Sequence, residues 1–486
     1  MLHLAEKSQH LTKWAWGSTS KEERHLVRKL DFFILTYSCL SYFFNYLDRA
    51  AFANAYVAGL KEALDLEGSQ YNVLLSMASA GLLIGQIPHS IIIHIIAPRI
   101  WLSCMIVVWA GLTMASAACT TFSQLCAVRF FMGLAEACTY PACIYVIGSW
   151  YKRDEIAKRT ALFTVAGQVG NMFAGAMMAA IYRSMDGRSG LAGWQWVVLI
   201  DGIITCPIAI FGFFFFPDVP EHTKAPFLSQ KERELALARL PPKNPKGHDV
   251  SPKSLAKRVL GKPAFWVCCI FSFFAAGMQA YSTQGLMLLY LKFHQKNYGY
   301  SQTNVNTFPL GVQAIGIVSE FAVAYAIDHF NQWLAAGITL CGIQIVCSIV
   351  LLIPGTGAAG NLTALYLAST AYGINPLLYG WPSVILARDG DDAARSVIIA
   401  CMMGAGMLLY TFWGIVMYPA SHAPYWRNGY IAMICVVAAL FGWLFAVRWL
   451  DQRTQSPHSE NSTLEQPLEA TDESSEKGMP TVSVAR

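Results

Sequence analysis

Charge is scarce in this sequence. Asp, Glu, Lys and Arg together make up 13% of its 486 residues, against 55% that are hydrophobic. Soluble domains carry about 25% charged residues, so the deficit excludes an ordinary soluble enzyme or scaffold. Patterned cysteine is missing too. The thirteen cysteines are scattered, with Cys268-Cys269 the only adjacent pair, and no spacing fits a zinc site or a disulfide framework. They read as small apolar residues. The first thirty residues hold no apolar core with a cleavage site, so no secretory signal peptide is expected and the first helix serves as an uncleaved signal. There is no nucleophile–base constellation, no paired set of metal ligands and no glycine-rich phosphate loop, so an enzyme is not expected. No cofactor, metal or nucleic-acid partner is expected either. His89 and His94 are five apart, about 140° around a helix, and do not form a shared metal site.

Long apolar runs are what the sequence has in abundance. A helix needs about twenty residues to cross the hydrocarbon core. Runs of that length lie near 30–53, 70–95, 100–119, 123–150, 160–182, 194–216, 264–292, 303–327, 332–354, 361–387, 395–419 and 428–450, here called spans 1 to 12. The expected fold is an all-α membrane protein; short alternating segments would be needed for a β-barrel. Stretches such as Ser79-Ala80-Gly81 and Gly167-Gln168-Val169-Gly170 let helices approach closely in lipid. Pro88, Pro141, Pro207, Pro376 and Pro382 lie inside spans, where neighbours or water re-satisfy the freed carbonyls.

The positive-inside rule sets the orientation. With the N-terminus inside, the inner segments hold twenty-six Lys and Arg and the outer loops six; Arg49, Arg129 and Arg448 lie in or at the ends of spans. Both termini are expected in the cytoplasm. The organisation expected is a cytoplasmic N-tail (1–29), a six-helix bundle (30–216), a cytoplasmic linker (217–263), a second six-helix bundle (264–450) and a disordered cytoplasmic C-tail (451–486). The linker carries Pro217, Pro220, a short helical stretch around Ser229–Leu240, then Pro241-Pro242 and Pro245. Two bundles on a linker suit halves that rock about a central site. Span 4 ends in Trp150-Tyr151-Lys152-Arg153-Asp154-Glu155-Ile156-Ala157-Lys158-Arg159 and span 10 in Arg388-Asp389-Gly390-Asp391-Asp392-Ala393-Ala394-Arg395. Two such loops, six helices apart, suggest a parallel repeat. The tail from 451 carries seven acids against three bases, a composition that favours disorder.

Charges inside the membrane are functional candidates, since one at the bilayer centre costs about 2.5–3.5 kcal/mol on insertion scales. Span 1 holds Asn45, Asp48 and Arg49; span 4 holds Arg129 and Glu136. The last two are seven apart, close to two helical turns, so both project from one face. Gly133 lies between them and leaves room for a ligand or a partner helix. These two acids and two arginines could form permanent pairs that fix the packing. The sharper expectation is that the arginines bind a substrate carboxylate and the acids carry protons. Arg cannot lose its proton and grips carboxylates with two parallel hydrogen bonds. An anion that takes an Arg from its acid leaves that acid ready to bind a proton, so the two ligands favour each other. Gln168 and Asn171 in span 5, and Gln279 and Gln284 in span 7, are candidate cavity residues, although helix–helix hydrogen bonds explain them equally well. Glu320 in span 8 has no partner evident in sequence. Asp201, after Trp194-Gln195-Trp196, fits an interfacial structural role.

These residues also carry a resemblance. Asn45-Tyr46-Leu47-Asp48-Arg49, Asn54-Ala55-Tyr56-Val57-Ala58-Gly59 with Lys61-Glu62, and Arg129 through Glu136 and Pro141 to Trp150-Tyr151 resemble the anion:cation symporters of the major facilitator superfamily. The likeness runs over nearly all of residues 30–450. Ala387-Arg388-Asp389, Asp391-Asp392, Arg395, Val416-Met417-Tyr418-Pro419-Ala420, Ala423-Pro424 and Gly429-Tyr430-Ile431-Ala432-Met433-Ile434 look most like the fungal allantoate-permease group, in its pantothenate and biotin branch. The resemblance implies twelve transmembrane helices in two six-helix bundles. It also implies that proton coupling and anion binding map onto Asp48, Arg49, Arg129 and Glu136. The acids are the expected proton carriers and the arginines the expected anion contacts, and Asn45, Gln168, Gln279 and Trp381 are further candidate substrate contacts. The sequence departs from that branch at Ser383, where an Asn usually follows the span 10 Trp, and at Met403, Met407 and Tyr410, where span 11 usually has asparagines. The wall is more apolar there and Met fills irregular gaps, which points to a substrate larger or greasier than pantothenate. The loop after span 2 reads His94-Ile95-Ile96-Ala97-Pro98-Arg99 and lacks the usual acid, which puts a gating salt bridge there in doubt.

The expected activity is proton-coupled uptake of a small organic anion, a vitamin-type monocarboxylate, by a monomer in a fungal plasma membrane. The rivals are an exporter of a metabolite or drug, and a non-transporting nutrient sensor, which the short tail disfavours.

Overall fold

The computed structural model describes residues 20–462 apart from 224, 241–251, 284, 331, 354 and 389–390. Most of the N-tail, the linker prolines 241, 242 and 245, Gln284, Asp389-Gly390 and the tail from 463 lie outside the described residues.

Each apolar run is helical. Span 1 is Thr36–Ala55 between two π-helical turns, Asp31–Leu35 and Tyr56–Leu60. Spans 2, 3, 5 and 6 are Gln70–Ile95, Pro98–Ser116, Arg153–Met185 and Gly193–Phe215. Span 4 breaks into Phe122–Glu136 and Thr139–Trp150. The break falls one turn before Pro141, whose ring collides with the carbonyl four residues back. In the second half, spans 9, 11 and 12 are Trp333–Leu352, Asp392–Met417 and Arg427–Ser462. Span 8 is Gln302–Thr307 followed by Leu310–Phe330. Span 7 is broken into Pro263–Met278, Ala280–Thr283 and Leu286–Phe293. Span 10 runs through Ala358–Ala368, Ser369–Gly373, Pro376–Gly380 and Trp381–Ala387.

Among the described residues, nine helices are long and apolar enough to cross a membrane, and ten with the bent pair Ser254–Leu260 and Pro263–Met278. Spans 1 and 10 complete the twelve. Polar residues lower the hydropathy of the first, and the second is cut into short pieces. Span 12 continues past 450 into the segment expected to be disordered, because Asp451 ties its inner turn to Arg388 at 2.7 Å and to Arg448 at 3.3 Å.

Packing repeats between the halves. Span 1 lies on 5, 2 on 4 and 3 on 6; likewise 7 lies on 11, 8 on 10 and 9 on 12. Small residues make the close crossings. A Cβ on Gly133 would sit 2.1 Å from the Ala78 carbonyl oxygen, and one on Gly81 2.2 Å from that of Phe130. The room beside Gly133 is therefore filled by a partner helix. The outward faces are apolar, as with Ile84, Ile87, Ile91 and Ile95 on span 2, which suits lipid.

The two halves meet through spans 2 and 11 and through 5 and 8. Their described hydrogen bonds gather at the end remote from the linker. There Lys292 Nζ and Gln302 Nε2 donate to the Val57 carbonyl at 2.7 and 3.3 Å. Asn72 Nδ2 donates to the Tyr418 carbonyl at 2.9 Å, and its Oδ1 accepts from the Ala420 N–H at 2.7 Å. One weaker contact lies deeper, from Gln86 Nε2 to Met403 Sδ at 3.9 Å.

At the linker end, charge does the fastening. The linker helix Gln230–Arg239, capped by Ser229 and Glu232, reaches the helix Lys21–Leu30 through Lys29–Glu232 at 2.9 Å and Arg239–Glu23 at 3.3 Å. Arg239 also binds Glu155, Lys152 binds Glu23 at 2.6 Å, and Arg159 binds Asp31 at 2.6 Å. In the second half Asp391 takes Arg258 at 2.7 Å. Arg99, lacking an acid in its own loop, pairs with Asp218 after span 6 at 3.1 Å.

Candidate functional site

Asn45 and Arg49 are four residues apart, one above the other on span 1. Arg49 Nη2 donates to Asn45 Oδ1 at 2.6 Å, and Arg49 Nε donates to Glu136 Oε2 at 2.8 Å. The arginine side chain is 25% exposed and the glutamate 1%, so a partly exposed arginine covers a buried acid. Glu136 ends the first part of span 4. The break after it leaves its carbonyl within 3.4 Å of Asn45 Nδ2, which is also 3.5 Å from Thr139 Oγ1.

Asp48 meets neither arginine directly. Its Oδ2 accepts a hydrogen bond from Thr113 Oγ1 on span 3. Arg129 is 2% exposed, and its guanidinium lies 4.2 Å from the centre of the Phe52 ring. It makes no ion pair among the described residues, and its Nε has no hydrogen-bond partner. Glu136 Oε1 and Gln168 Oε1 are also buried without partners. Both oxygens of Asp201 are in the same condition, deep in span 6, so the acid is a buried carboxyl and not an interfacial one.

The structure thus brings Asn45, Asp48, Arg49, Arg129 and Glu136 into one region of the first half. Arg129 and Glu136, expected on one face of span 4, are both buried, and Glu136 pairs with Arg49. Gln168 stands on span 5, whose Gly167 lies against Tyr42 and Tyr46. Gln279 belongs to the second half, where its Nε2 donates to Asn375 Oδ1 of span 10 at 2.8 Å. Trp381 is buried at 1% exposure and stacks on Trp333 with ring centres 6.1 Å apart, which sets it in the wall between spans 9 and 10.

Tyrosines of both halves come near Arg49 and one another. Tyr46, whose ring centre is 5.1 Å from the Arg49 guanidinium, neighbours Tyr372 and Tyr379 of span 10. Tyr140 and Tyr410 also border Tyr379. The Tyr410 hydroxyl donates to the Ala276 carbonyl at 3.1 Å. Thr113, Phe52 and Asn375 escaped sequence reasoning. A hydroxyl, a ring or an amide in a membrane helix gives no sign of which neighbour it will face. His89 is structural: it bridges Trp101 Nε1 at 2.9 Å and the Leu134 carbonyl at 2.8 Å. No group of three His, Cys, Asp or Glu that could hold a metal occurs among the described residues.

The chain as a whole resembles known proteins. The description Major Facilitator Superfamily matches residues 38–390. The pantothenate transporter liz1 of Schizosaccharomyces pombe is 34% identical over 87% of this chain and 81% of its own. The pantothenate transporter FEN2 of Saccharomyces cerevisiae is 31% identical over 85% and 81%, and the vitamin H transporter of the same yeast 29% over 90% and 74%. Among solved structures, a bacterial homologue of the human lysosomal transporter Spinster superposes with a TM-score of 0.66 at 13% identity, covering 87% of this chain and 98% of that one. The xylose transporter XylE from E. coli gives 0.61 at 14%, covering 85% and 97%. The chain is a secondary transporter of small organic substrates, not an enzyme, and it belongs to the major facilitator superfamily, in the branch whose named relatives include the yeast pantothenate and vitamin H transporters.

Proposed function

We propose that the chain imports a small organic monocarboxylate together with protons, by alternating access, across a fungal plasma membrane with both termini in the cytoplasm. It works as a monomer. The observation that carries this reading is the Arg49–Glu136 pair, in which a partly exposed arginine holds a buried acid at 2.8 Å. A substrate carboxylate competes for Arg49 with two parallel hydrogen bonds. Glu136, released from its cation in a dry setting, then takes a proton, since an unpaired buried charge is costly. Binding of anion and proton are thereby linked, each strengthening the other. Arg129, fixed over Phe52, adds a positive field without being the gripping group, and Asp48, held by Thr113, is the second acid of the cycle. Gln168 of span 5 and Gln279 of span 7 contribute polar groups from either side.

The names of the relatives favour pantothenate or biotin as the chemical type. Ser383, Met403, Met407 and Tyr410 favour a bulkier or greasier member of that type. The excess of Lys and Arg in the segments at the linker end supports a cytoplasmic location for them.

Uptake of labelled pantothenate, biotin and nicotinate, at pH 5 and pH 7, in cells lacking their own carriers tests the reading. Uptake is expected to be faster at pH 5. In Arg49→Ala it should fall about tenfold to a hundredfold, the loss of a charged hydrogen bond worth about 1.5–3 kcal/mol. High-affinity pantothenate uptake with no response to bulkier monocarboxylates would remove the greasier substrate. Surface-expressed protein that takes up none of the three acids, yet speeds their loss from preloaded cells, would make it an exporter.

A further inference from the structure

Away from the end turns of its six apolar runs (264–292, 303–327, 332–354, 361–387, 395–419 and 428–450), the second half contains a single Asp, Glu, Lys or Arg, and that residue is Glu320 on span 8. It forms no ion pair among the described residues. Its side-chain partner is Asn375 of span 10. Asn375 Oδ1 is occupied by Gln279 Nε2 at 2.8 Å, which leaves the Asn375 amide group to donate to the carboxyl. Spans 5, 9 and 10 pack against span 8. The titratable groups that face Glu320 from them are Tyr372 and Tyr379, both neutral hydroxyls of span 10, and both neighbour Tyr46 of the first half. Glu320 and Arg49 thus share this set of tyrosines as electrostatic neighbours. An anion gripped by Arg49 beside them meets a carboxyl with no cation of its own half to offset it. Ionised, that carboxyl repels the substrate; protonated, it does not.

We propose that Glu320 is a proton-binding site of the second half, loaded together with the anion, so that each monocarboxylate enters with two protons and one net positive charge. One proton is shared by the first-half acids Glu136 and Asp48 and the other sits on Glu320. The Gln279–Asn375 relay solvates the ionised form once the proton has left on the cytoplasmic side. The inference rests on the anion–proton symport argued above.

Current and labelled pantothenate flux are measured together in voltage-clamped cells expressing the full chain at pH 5. The wild type is expected to pass about one positive charge per pantothenate, a ratio set by two protons and one anion. Glu320→Gln should take up label with no accompanying current, and Glu320→Asp should restore a ratio of about one, which a merely structural role would not do. Wild-type uptake without current overturns the second site while leaving the symport in place, whether or not the variants fold. A current that persists in Glu320→Gln overturns it as well. Wild-type flux that does not differ between pH 5 and pH 7 would defeat the symport itself, and this inference with it.

Discussion

Arg49 divides its guanidinium between Asn45 at 2.6 Å and Glu136 at 2.8 Å, and each contact has a separate consequence. Asn45 is neutral and stays neutral, so its bond only aims the guanidinium. Glu136 is an acid, the group through which the proposed cycle links proton to anion. Glu136→Gln holds that position permanently in the uncharged form. Such a carrier should exchange labelled for unlabelled substrate at a rate that changes less between pH 5 and pH 7 than that of the wild type. Its accumulation against a gradient should fall, because one of the two links between proton and anion is gone. Counterflow and net uptake, measured side by side, distinguish this from misfolding; accumulation as pH-dependent as in the wild type would refute the role of Glu136. Much of this cluster was legible in sequence, because a charge in an apolar run is conspicuous. The pairing was not. Spacing along span 4 says that Arg129 and Glu136 share a face, but only packing decides that Phe52 covers the first and Arg49 reaches the second. Asp218 is the same lesson: Arg99 looked short of an acid because its acid comes from the far end of span 6.

Twelve apolar runs are easily read because each must be long enough to cross and apolar enough to stay. Their internal breaks are harder to read. Pro141 explains the break in span 4, whereas span 10 passes through 3₁₀ and π turns between Ser369 and Gly380 that no hydropathy window reports. The fit of span 2 on span 4 depends on atoms that are missing: Gly81 and Gly133 allow backbone to meet backbone. Gly133→Val would drive a side chain into the Ala78 carbonyl, which cannot retreat. The expected loss is about 1–3 kcal/mol, the usual effect of overpacking, read as a lower thermal midpoint in detergent. An unchanged midpoint would mean that the two spans slide apart freely. Gly111, with nothing near its would-be Cβ, is the matching control, and Gly111→Val should leave the midpoint close to wild type.

The repeated packing of spans makes the molecule two similar bodies, and the linker helix is fastened to the first of them. Glu23 and Glu232 hold that fastening. Burial alone would push the Glu23 carboxyl up, but Lys152 and Arg239 outweigh it and hold it below the usual glutamate value. Burial, Ser229 and Lys29 act on Glu232 with the same net direction. Acids depressed in the folded state give stability that is present above the ordinary glutamate value, about 4.3, and is lost as pH falls through the depressed values. Hydrogen exchange of residues 230–239 in the solubilised carrier should therefore show steady protection at pH 8 and 6 and a marked loss below about pH 4. Protection that rises on acidification would refute the ionic fastening. The bundle arrangement could be anticipated from the sequence; this fastening could not, since its partners come from three distant segments.

The seam at the opposite end is written largely in main-chain atoms. Lys292 and Gln302 both donate to the carbonyl of residue 57, and Asn72 donates to that of residue 418. A peptide carbonyl survives any substitution of the side chain it belongs to. Half of each contact is thus immune to mutation, and Val57 and Tyr418 can drift in identity without unfastening the halves. The heritable burden of closing this end falls on Lys292, Gln302 and Asn72. A lineage can therefore remodel the wall of the binding region, as at Ser383 and Met403, while the hardware of its gate stays the same.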